Sequence, residues 1–390
     1  MDWRSCLLRP LFNGVDMAEF EHFIHGDGDR RQALVVVFLR GGADGLNMVA
    51  PLEDDGYYRA RPRMAISKAK ALPLDGFYGL NPLLSDLQAV YKDGALGIVH
   101  AAGSEDDTRS HFEAQDLMEH GGVVGGGWLG RFLRARAAGT SGPLSAVALG
   151  KEVPECLRGA PAATVFSSLE DFTMGANHAR LMASLARLYQ AQPGDLGAAG
   201  NSTLEVVRRI EALRTASYQP AQGAFYGDDE FSRGLFQIAR LIKSRVGLEA
   251  ASIDLNGWDS HFGQSTIMDP LMTRLAKGLG AFYRDLGHEM EFTTVVVMTE
   301  FGRRVAENSA FGTDHGRGSV MFVMGGGIKG GRVFGKWPGL TQEVLEGPGD
   351  LPVVTNYRNI LAAILQRHGA GDTLDKVFPS FEIQPWSLYA

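Results

Sequence analysis

The sequence predicts an α/β protein with a mainly parallel sheet, and three observations support this fold class. Short β-branched runs alternate along the chain with longer segments of helical periodicity, as in a layered α/β fold. Most of these runs are continuously apolar, which is typical of strands covered on both faces. Hydrophobic residues make up 45% of the 390 residues and charged residues 21%, so the composition is that of a packed globular protein.

The predicted strands are short, apolar and rich in β-branched residues. They are Ala33–Leu39, Ala95–His100, Leu144–Leu149, Ala163–Phe166, Ala251–Leu255, Thr293–Thr299 and Ser319–Met324. The predicted helices are Asn81–Tyr91, His111–Glu119, Leu129–Ala137, Ala179–Gln190, Thr203–Ala216, Asp229–Arg245, Asp269–Leu286 and Tyr357–His368. We expect one large domain over residues 1–390, with an N-terminal extension at 1–32 and a helical insertion or outer layer at 175–248.

Composition also limits the partners and the compartment. Asp and Glu number 45 against 38 Lys and Arg, so the chain lacks the basic excess of a nucleic-acid-binding protein. Apolar runs are too short for a membrane span. The N-terminal segment lacks the pattern of a signal peptide, and Arg30-Arg31 leads into a run, ALVVVFL, that fits a buried strand better than a twin-arginine signal. The sequence therefore predicts a cytoplasmic protein.

Acidic and histidine residues recur where predicted strands end or begin. They are Asp44, Asp254, Asp259, His261, Glu300, Asp314 and His315. Because ligands of open α/β sheets bind beyond the carboxyl ends of the strands, we expect these side chains to share one edge. Carboxylates and imidazoles together suit zinc, manganese or magnesium. The pattern predicts a metal site there.

Each of these residues also has a structural explanation. The Asp residues that lie beside glycines are also typical of turns, because an Asp side chain accepts a hydrogen bond from the backbone about two residues further along the chain. Glu300 ends a buried-looking strand and needs a partner there, which Arg303 or Arg304 could supply as a salt bridge. The metal interpretation depends on the placement that the motifs share.

A candidate nucleophile lies at the start of the second predicted helix. Ser110 and Glu113 have the spacing of a capping box, which predicts that Ser110 caps this helix. A helix N-terminus also suits a phosphate or sulfate oxyanion, and a hydroxyl beside a metal can ionise and attack. Thr108 is the alternative nucleophile. His111 is either a ligand or acid, or a packed helical residue. Both interpretations stay open.

Six ordered segments carry a family resemblance: FLRGGADGLNMVAPLEDDGYYRARP, RSHFEAQDLMEHG, GGWLGRFL, NGWDSHFGQ, TEFGRRVAEN and GTDHGRGSVMFVMGGGIKGGRVFG. Through them residues 33–370 resemble DUF1501, a bacterial family of unknown function placed with alkaline phosphatases and sulfatases. The resemblance implies an alkaline phosphatase-like, three-layer α/β/α sandwich around a large mixed, mainly parallel sheet. Members typically carry a twin-arginine signal, which implies an exported or periplasmic protein, or export with a protein partner from the same operon.

The resemblance also implies roles for residues. Asp44 would be a metal ligand and Ser110, or Thr108, the nucleophile. The last ligands have two assignments: Asp314 and His315 form the Asp-His pair, or Glu300 takes the strand-end position and His315 is a single late histidine. We prefer the second, because that pair normally follows a buried strand directly. Phe301 then replaces a histidine ligand, so a second metal would bind weakly or not at all.

Together these expectations describe a metal-dependent hydrolase or transferase acting on a small-molecule or polymeric phosphate or sulfate ester. One or two divalent ions (zinc, manganese, magnesium or calcium) would be held by the seven acidic and histidine residues. Ser110 would attack, and Arg109 and Asn47 would hold non-bridging ester oxygens. Arg303 would be a further catalytic residue, and Arg304 would bind the substrate. The alternatives are a non-catalytic binding or assembly protein and a sugar-phosphate mutase.

Overall fold

The computed structural model describes residues 32–136, 142, 144–170, 178–384 and 386–389. The predicted N-terminal extension, apart from residue 32, lies outside the described residues, as does Arg30-Arg31. Within the described part, no helix has the length and apolar character needed to cross a membrane. The cytoplasmic location from the sequence and the exported location from the resemblance both stay predictions.

The elements alternate as predicted. The strands are β1 (Ala33–Arg40), β2 (Val49–Pro51), β3 (Leu72–Pro73), β4 (Tyr78–Leu80), β5 (Leu96–Gly103), β6 (Ala146–Leu149), β7 (Thr164–Phe166), β8 (Ala250–Asn256), β9 (Thr293–Met298), β10 (Ser319–Gly325), β11 (Arg332–Phe334) and β12 (Thr355–Asn356). The α-helices are α1 (Gly45–Met48), α2 (Asp55–Ala60), α3 (Ser85–Lys92), α4 (His111–His120), α5 (Trp128–Arg136), α6 (His178–Gln190), α7 (Asp195–Thr215), α8 (Glu230–Lys243), α9 (Gln264–Leu286), α10 (Tyr357–Arg367) and α11 (Leu374–Val377).

One large sheet organises the molecule. Its strand order is β11-β5-β10-β9-β1-β8-β6-β7, and β12 also pairs with β5. Strand β10 runs antiparallel to β5 and β9, whereas the other described pairs of this sheet are parallel. This confirms the predicted mixed, mainly parallel sheet. Because β10 is reversed, the residues just before it lie at the edge where its neighbours end.

Helices cover both faces of this sheet. Along β1, Val35 and Val37 face a cluster that includes apolar side chains of α3, α8 and α9. The alternate residues Leu34 and Val36 face a second cluster with side chains of α5 and α10. Since successive strand residues point to opposite faces, a continuous apolar run buries both sides at once. The layers are therefore helix, sheet and helix.

The main departure from the predicted elements is at the start of α7. The predicted helix Thr203–Ala216 begins eight residues earlier in the structure, at Asp195. Two glycines in this stretch serve close packing: a Cβ on Gly200 would lie 2.2 Å from the Tyr189 ring, and one on Gly197 would lie 2.0 Å from the carbonyl oxygen of Gln192. In the sequence, glycines that permit close packing within a helix therefore look like the glycines of a loop.

Candidate metal centre

Loops at one edge of the sheet bring together an acid and three histidines. His111 begins α4, which follows β5, and His315 lies just before β10. Asp259 and His261 lie between β8 and α9. Among the described residues, one ligand atom each from His111, Asp259 and His315 lies within 4.8 Å of the other two. The reversal of β10 explains why His315 reaches an edge formed by strand ends.

Oδ1 of Asp259 lies among the three imidazoles. It is 3.6 Å from Nε2 of His111, 3.6 Å from Nε2 of His315 and 3.2 Å from Nε2 of His261. The Nε2 atoms of His261 and His315 are 2.9 Å apart. Ligand atoms at ~2.1 Å from a tetrahedral zinc ion would be separated by roughly 3.4 Å. His111, Asp259 and His315 are therefore spaced like the ligands of one ion, and His261 adjoins them.

The Nδ1 atom of each imidazole faces an oxygen that accepts hydrogen bonds. The contacts are His111 to Oε1 of Glu300 (2.8 Å), His315 to the carbonyl oxygen of Arg109 (2.8 Å) and His261 to Oδ1 of Asp314 (3.3 Å). Because carbonyl and carboxylate oxygens have no proton to give, Nδ1 is the donor, and a neutral ring then has its lone pair on Nε2. Three lone pairs and a carboxylate oxygen thus meet, an arrangement that a cation would stabilise.

Two further observations concern the ring nitrogens. Nε2 of His111 is buried and has no hydrogen-bond partner among the residues that the structure describes. Burial lowers the pKa of His315, as do the nearby Arg303 and the other imidazoles, although its hydrogen bond to the Arg109 carbonyl acts in the opposite direction. Neutral imidazole is the form that binds metal ions.

Glu300 supports the His111 ring from the end of β9. Its carboxylate also accepts hydrogen bonds from Gln115 (2.9 Å) and from the Gly41 amide (2.8 Å). Burial would raise the pKa of Glu300, but these hydrogen bonds, that from His111 foremost, hold the pKa below its usual value. Glu300, predicted as a ligand, therefore contacts the centre through His111.

Arg303 braces the loops around Asp259. Its fully buried guanidinium donates to Oδ1 of Asp259 at 2.8 Å and to the carbonyl oxygens of Gly42 (2.7 Å) and Thr313 (3.0 Å). Burial would raise the pKa of Asp259, but Arg303 more than offsets this and holds the pKa low. Sequence reasoning gave Arg303 a catalytic role, whereas its contacts are those of a residue that positions Asp259.

Two glycines after β1 permit this close arrangement. Gly41 has φ +120°, and a Cβ there would lie 2.5 Å from the Asp259 amide nitrogen. Gly42 has φ +67°, and a Cβ there would lie 2.6 Å from the ring of Phe301. Other residues rarely adopt such backbone angles and would collide here.

Phe301 packs against the imidazoles. Its ring centroid lies 4.8 Å from that of His111 and 4.9 Å from that of His315. An aromatic ring in this place fixes the orientation of both imidazoles and offers no atom to an ion.

Asp44 has a different role from the predicted one. Its two carboxylate oxygens accept from Arg61 at 2.5 Å and 3.0 Å, and Gln264 donates to it at 2.6 Å. Asp44 and Arg61 are both 0% exposed. Because both oxygens are engaged in a buried ion pair, Asp44 is held as a structural partner of Arg61 rather than as a metal ligand.

Asn47 and Asp254 also lie outside the cluster. Asn47 accepts hydrogen bonds from Asn81, at 2.9 Å on its carbonyl and 3.3 Å on its side chain, so it joins two buried loops. Asp254, predicted as a ligand, accepts from Nε of Arg40 at 2.6 Å and lines a neighbouring pocket. The side chain of Asp254 therefore leaves β8 on the pocket side.

The two hydroxyl residues before α4 form its cap. Ser110 accepts from the Glu113 amide at 3.5 Å. Thr108 donates to the Glu113 carboxylate at 2.7 Å and accepts from the Ser110 amide at 3.2 Å. These contacts confirm the capping interpretation, and the nucleophilic role of Ser110 or Thr108 stays a prediction.

Two partly exposed arginines flank the histidines. Arg109 pairs with Asp350 at 2.5 Å, and Arg304 pairs with Asp314 at 3.3 Å; both side chains are 33% exposed. Asp314, predicted as a ligand, instead orients His261. Each arginine therefore adjoins a group that supports an imidazole.

Sequence reasoning missed several supporting residues. Gln115 lies four positions after His111 and so on the same helix face, which is a signal that could have identified it. Arg61, Gln264 and Asp350 gave no local signal, because their partners Asp44 and Arg109 lie far away along the chain.

Comparisons with known proteins give one family match. The family described as "Protein of unknown function (DUF1501)" matches residues 95–382. No curated protein matches the chain. The solved structure of PH0037 protein from Pyrococcus horikoshii is 12% identical with a TM-score of 0.36, covering 88% of this chain and 98% of that one. Ps i-CgsB, crystallised in complex with k-i-k-neocarrahexaose, is 9% identical with a TM-score of 0.36, covering 89% and 74%.

Proposed function

The chain belongs to the DUF1501 family of proteins of unknown function, and from its candidate metal centre we propose that it is a metal-dependent hydrolase or transferase acting on a phosphate or sulfate ester. The observation that carries this proposal is the convergence of three imidazole Nε2 atoms on Oδ1 of Asp259. An alkaline phosphatase-like arrangement of the fold is part of the same proposal.

The donor set suits a divalent transition metal. His111, Asp259 and His315 supply two nitrogens and one oxygen, which with an exchangeable position is the usual set of a catalytic zinc site. His261 lies at the open side with 41% of its side chain exposed. The hydrogen bonds on Nδ1 of the ligands are those that orient metal-binding histidines in other proteins. Manganese, magnesium and calcium fit less well because imidazole is a softer ligand than oxygen.

The proposed reaction uses these positions. His111, Asp259 and His315 would hold the ion, which would lower the pKa of a coordinated water and polarise an ester oxygen. His261, oriented by Asp314, is placed to accept or return a proton at Nε2. Arg109 and Arg304 donate to the remaining oxygens of the phosphate or sulfate group, for which guanidinium geometry is suited. Phe301 beside the imidazoles favours a single ion over two.

The test combines metal analysis with hydrolysis assays. Protein purified without chelator is assayed on 4-nitrophenyl phosphate, bis(4-nitrophenyl) phosphate and 4-nitrophenyl sulfate, before and after chelation. We expect hydrolysis of at least one ester, lost on chelation, restored by added metal and abolished in His315→Ala. His288→Ala is the matched control, since the side chain of His288 is 95% exposed and lies outside the cluster.

The outcome distinguishes the alternatives. Bound metal with no turnover of any ester would favour a non-catalytic binding or assembly protein. Transfer of phosphate within a sugar phosphate, followed by ³¹P NMR and without release of phosphate, would favour a mutase.

A further inference from the structure

A pocket of about 680 Å³ opens beside the candidate metal centre. One wall is the face of α4 that carries Phe112 and Gln115. The ends of β6 and β8, including Asp254, the segment 150–158 that follows β6, and the start of α8 supply most of the remaining lining. Its size lies within the usual range for small-molecule sites, and it lies at the edge of the sheet where such ligands bind.

Hydrogen bonds connect this pocket to the metal centre. Gln115 donates to Glu300, the partner of His111, and accepts from Nη1 of Arg40 at 3.1 Å. Arg40 in turn donates to Asp254 at 2.6 Å. Gln115 and Arg40 therefore connect the pocket wall to Glu300, which supports His111.

The lining indicates the chemistry of the occupant. Carboxylates, guanidinium groups, amides and hydroxyls are interspersed, so both donors and acceptors face the space. Hydroxyl groups satisfy such a lining because each can donate and accept. Acidic side chains outnumber basic ones by seven to four, which disfavours a polyanion.

Two features of the lining point to the kind of ligand. Oδ1 of Asp254 has no hydrogen-bond partner among the described residues, and because buried polar atoms normally have one, a ligand hydroxyl that donates here would satisfy it. The ring of Phe112 is 84% exposed and lines the pocket, which gives an apolar surface for the C–H face of a ring.

We infer that this pocket binds a neutral polyhydroxylated group. We further infer that this group is the alcohol portion of the ester, a step that rests on the proposed function. The hydroxyls donate to Asp254 and accept from Arg40, and Phe112 covers one face of the bound group.

The experiment measures binding without requiring turnover. Galactose and maltose are the neutral probes, and spermidine and citrate are the charged comparators, all followed by saturation-transfer NMR. The pocket variants are Phe112→Ala and Asp254→Asn, and the control is His261→Ala at the metal centre. Phe112 is too exposed for its removal to impair folding, and a thermal melt of each variant checks this.

We expect a neutral probe to bind and each pocket variant to raise its Kd by at least about tenfold, the effect of losing one contact of this kind. His261→Ala should leave that Kd unchanged. Failure of both neutral probes to bind, tighter binding of spermidine or citrate, or unchanged binding in both pocket variants would overturn the inference. Because the 4-nitrophenyl assays need no sugar, a failure there concerns the proposed function alone.

Discussion

Nδ1 of His111 lies 2.8 Å from Oε1 of Glu300, although the residues are 189 positions apart. This contact joins the first turn of α4 to the end of β9 and fixes which ring nitrogen carries the proton. It leaves the lone pair of His111 on Nε2, which lies 3.6 Å from Oδ1 of Asp259. Glu300, which follows the buried strand β9, therefore affects the candidate metal centre through His111.

We predict that Glu300→Gln weakens metal binding. The change removes the charge that polarises His111, and loss of such outer contacts typically lowers metal affinity by about 10–100-fold. Zinc titration against a competing chelator measures the affinity. Glu291→Gln is the matched control, because it makes the same change at a carboxylate that is 67% exposed and lies outside the cluster. Equal affinity in Glu300→Gln and the wild type would exclude this role.

Arg61→Met should destabilise the fold. The substitution leaves Asp44 buried without its cation, which costs about 3–5 kcal/mol of unfolding free energy. Urea unfolding measures the change. Lys68→Met is the control: the Lys68–Glu53 pair is 2.8 Å long but about half exposed, so we expect no measurable change. Similar effects of the two substitutions would contradict the structural importance of the Asp44–Arg61 pair.

His100 makes stability depend on pH. Burial lowers its pKa to about 4, against the weaker opposing effect of its hydrogen bond to the Val49 carbonyl. Its Nδ1 accepts from the Ala101 amide at 2.9 Å, so protonation would break that contact. Between about pH 4 and 6.5 the unfolded chain binds the extra proton, so the contribution is complete above that range and decreases as pH falls.

The full decrease amounts to about 3 kcal/mol. Urea unfolding of chelated protein at about pH 7.5 and 5 should show a smaller decrease for His100→Gln than for the wild type. His288→Gln should match the wild type, because this side chain is exposed. An identical pH dependence in all three proteins would count against buried, neutral His100.

Gly41→Ala should damage the centre without touching a ligand. The new Cβ collides with the Asp259 backbone, so we expect a loss of about 1–3 kcal/mol in unfolding free energy and loss of bound metal. Gly125→Ala is the control, since nothing lies within 4 Å of a Cβ there. Normal metal content in Gly41→Ala would show that the loop tolerates displacement.

The general placement of the site could be predicted from the sequence. Buried apolar runs identify strands, and parallel strands end at one edge, so Asp259, His261 and His315 were expected to converge. The sequence did not predict that β10 runs antiparallel to β5 and β9, yet this direction brings His315 to the same edge of the sheet. His111 was only an alternative ligand, because a histidine at a helix start is also a common packed residue.

Distinguishing ligands from supporting residues requires side-chain directions. Asp44, Asp254 and Glu300 all follow strands, but one pairs with Arg61, one faces a pocket and one binds a ligand histidine. Their sequence contexts are alike, since the partner that decides each role comes from a distant segment. The position of Phe301 was indicated before the structure, because the resemblance implied that Phe301 replaces a ligand histidine. In the structure its ring packs against the imidazoles of His111 and His315.

The most direct test of the central claim is the metal content of protein purified without chelator, measured by mass spectrometry for the wild type, His111→Ala, His315→Ala and the exposed control His288→Ala. We predict about one equivalent of a divalent metal in the wild type and in His288→Ala, and a loss to near background in His111→Ala and His315→Ala. No metal in the wild type after incubation with zinc and manganese, or equal metal in all four proteins, would contradict it.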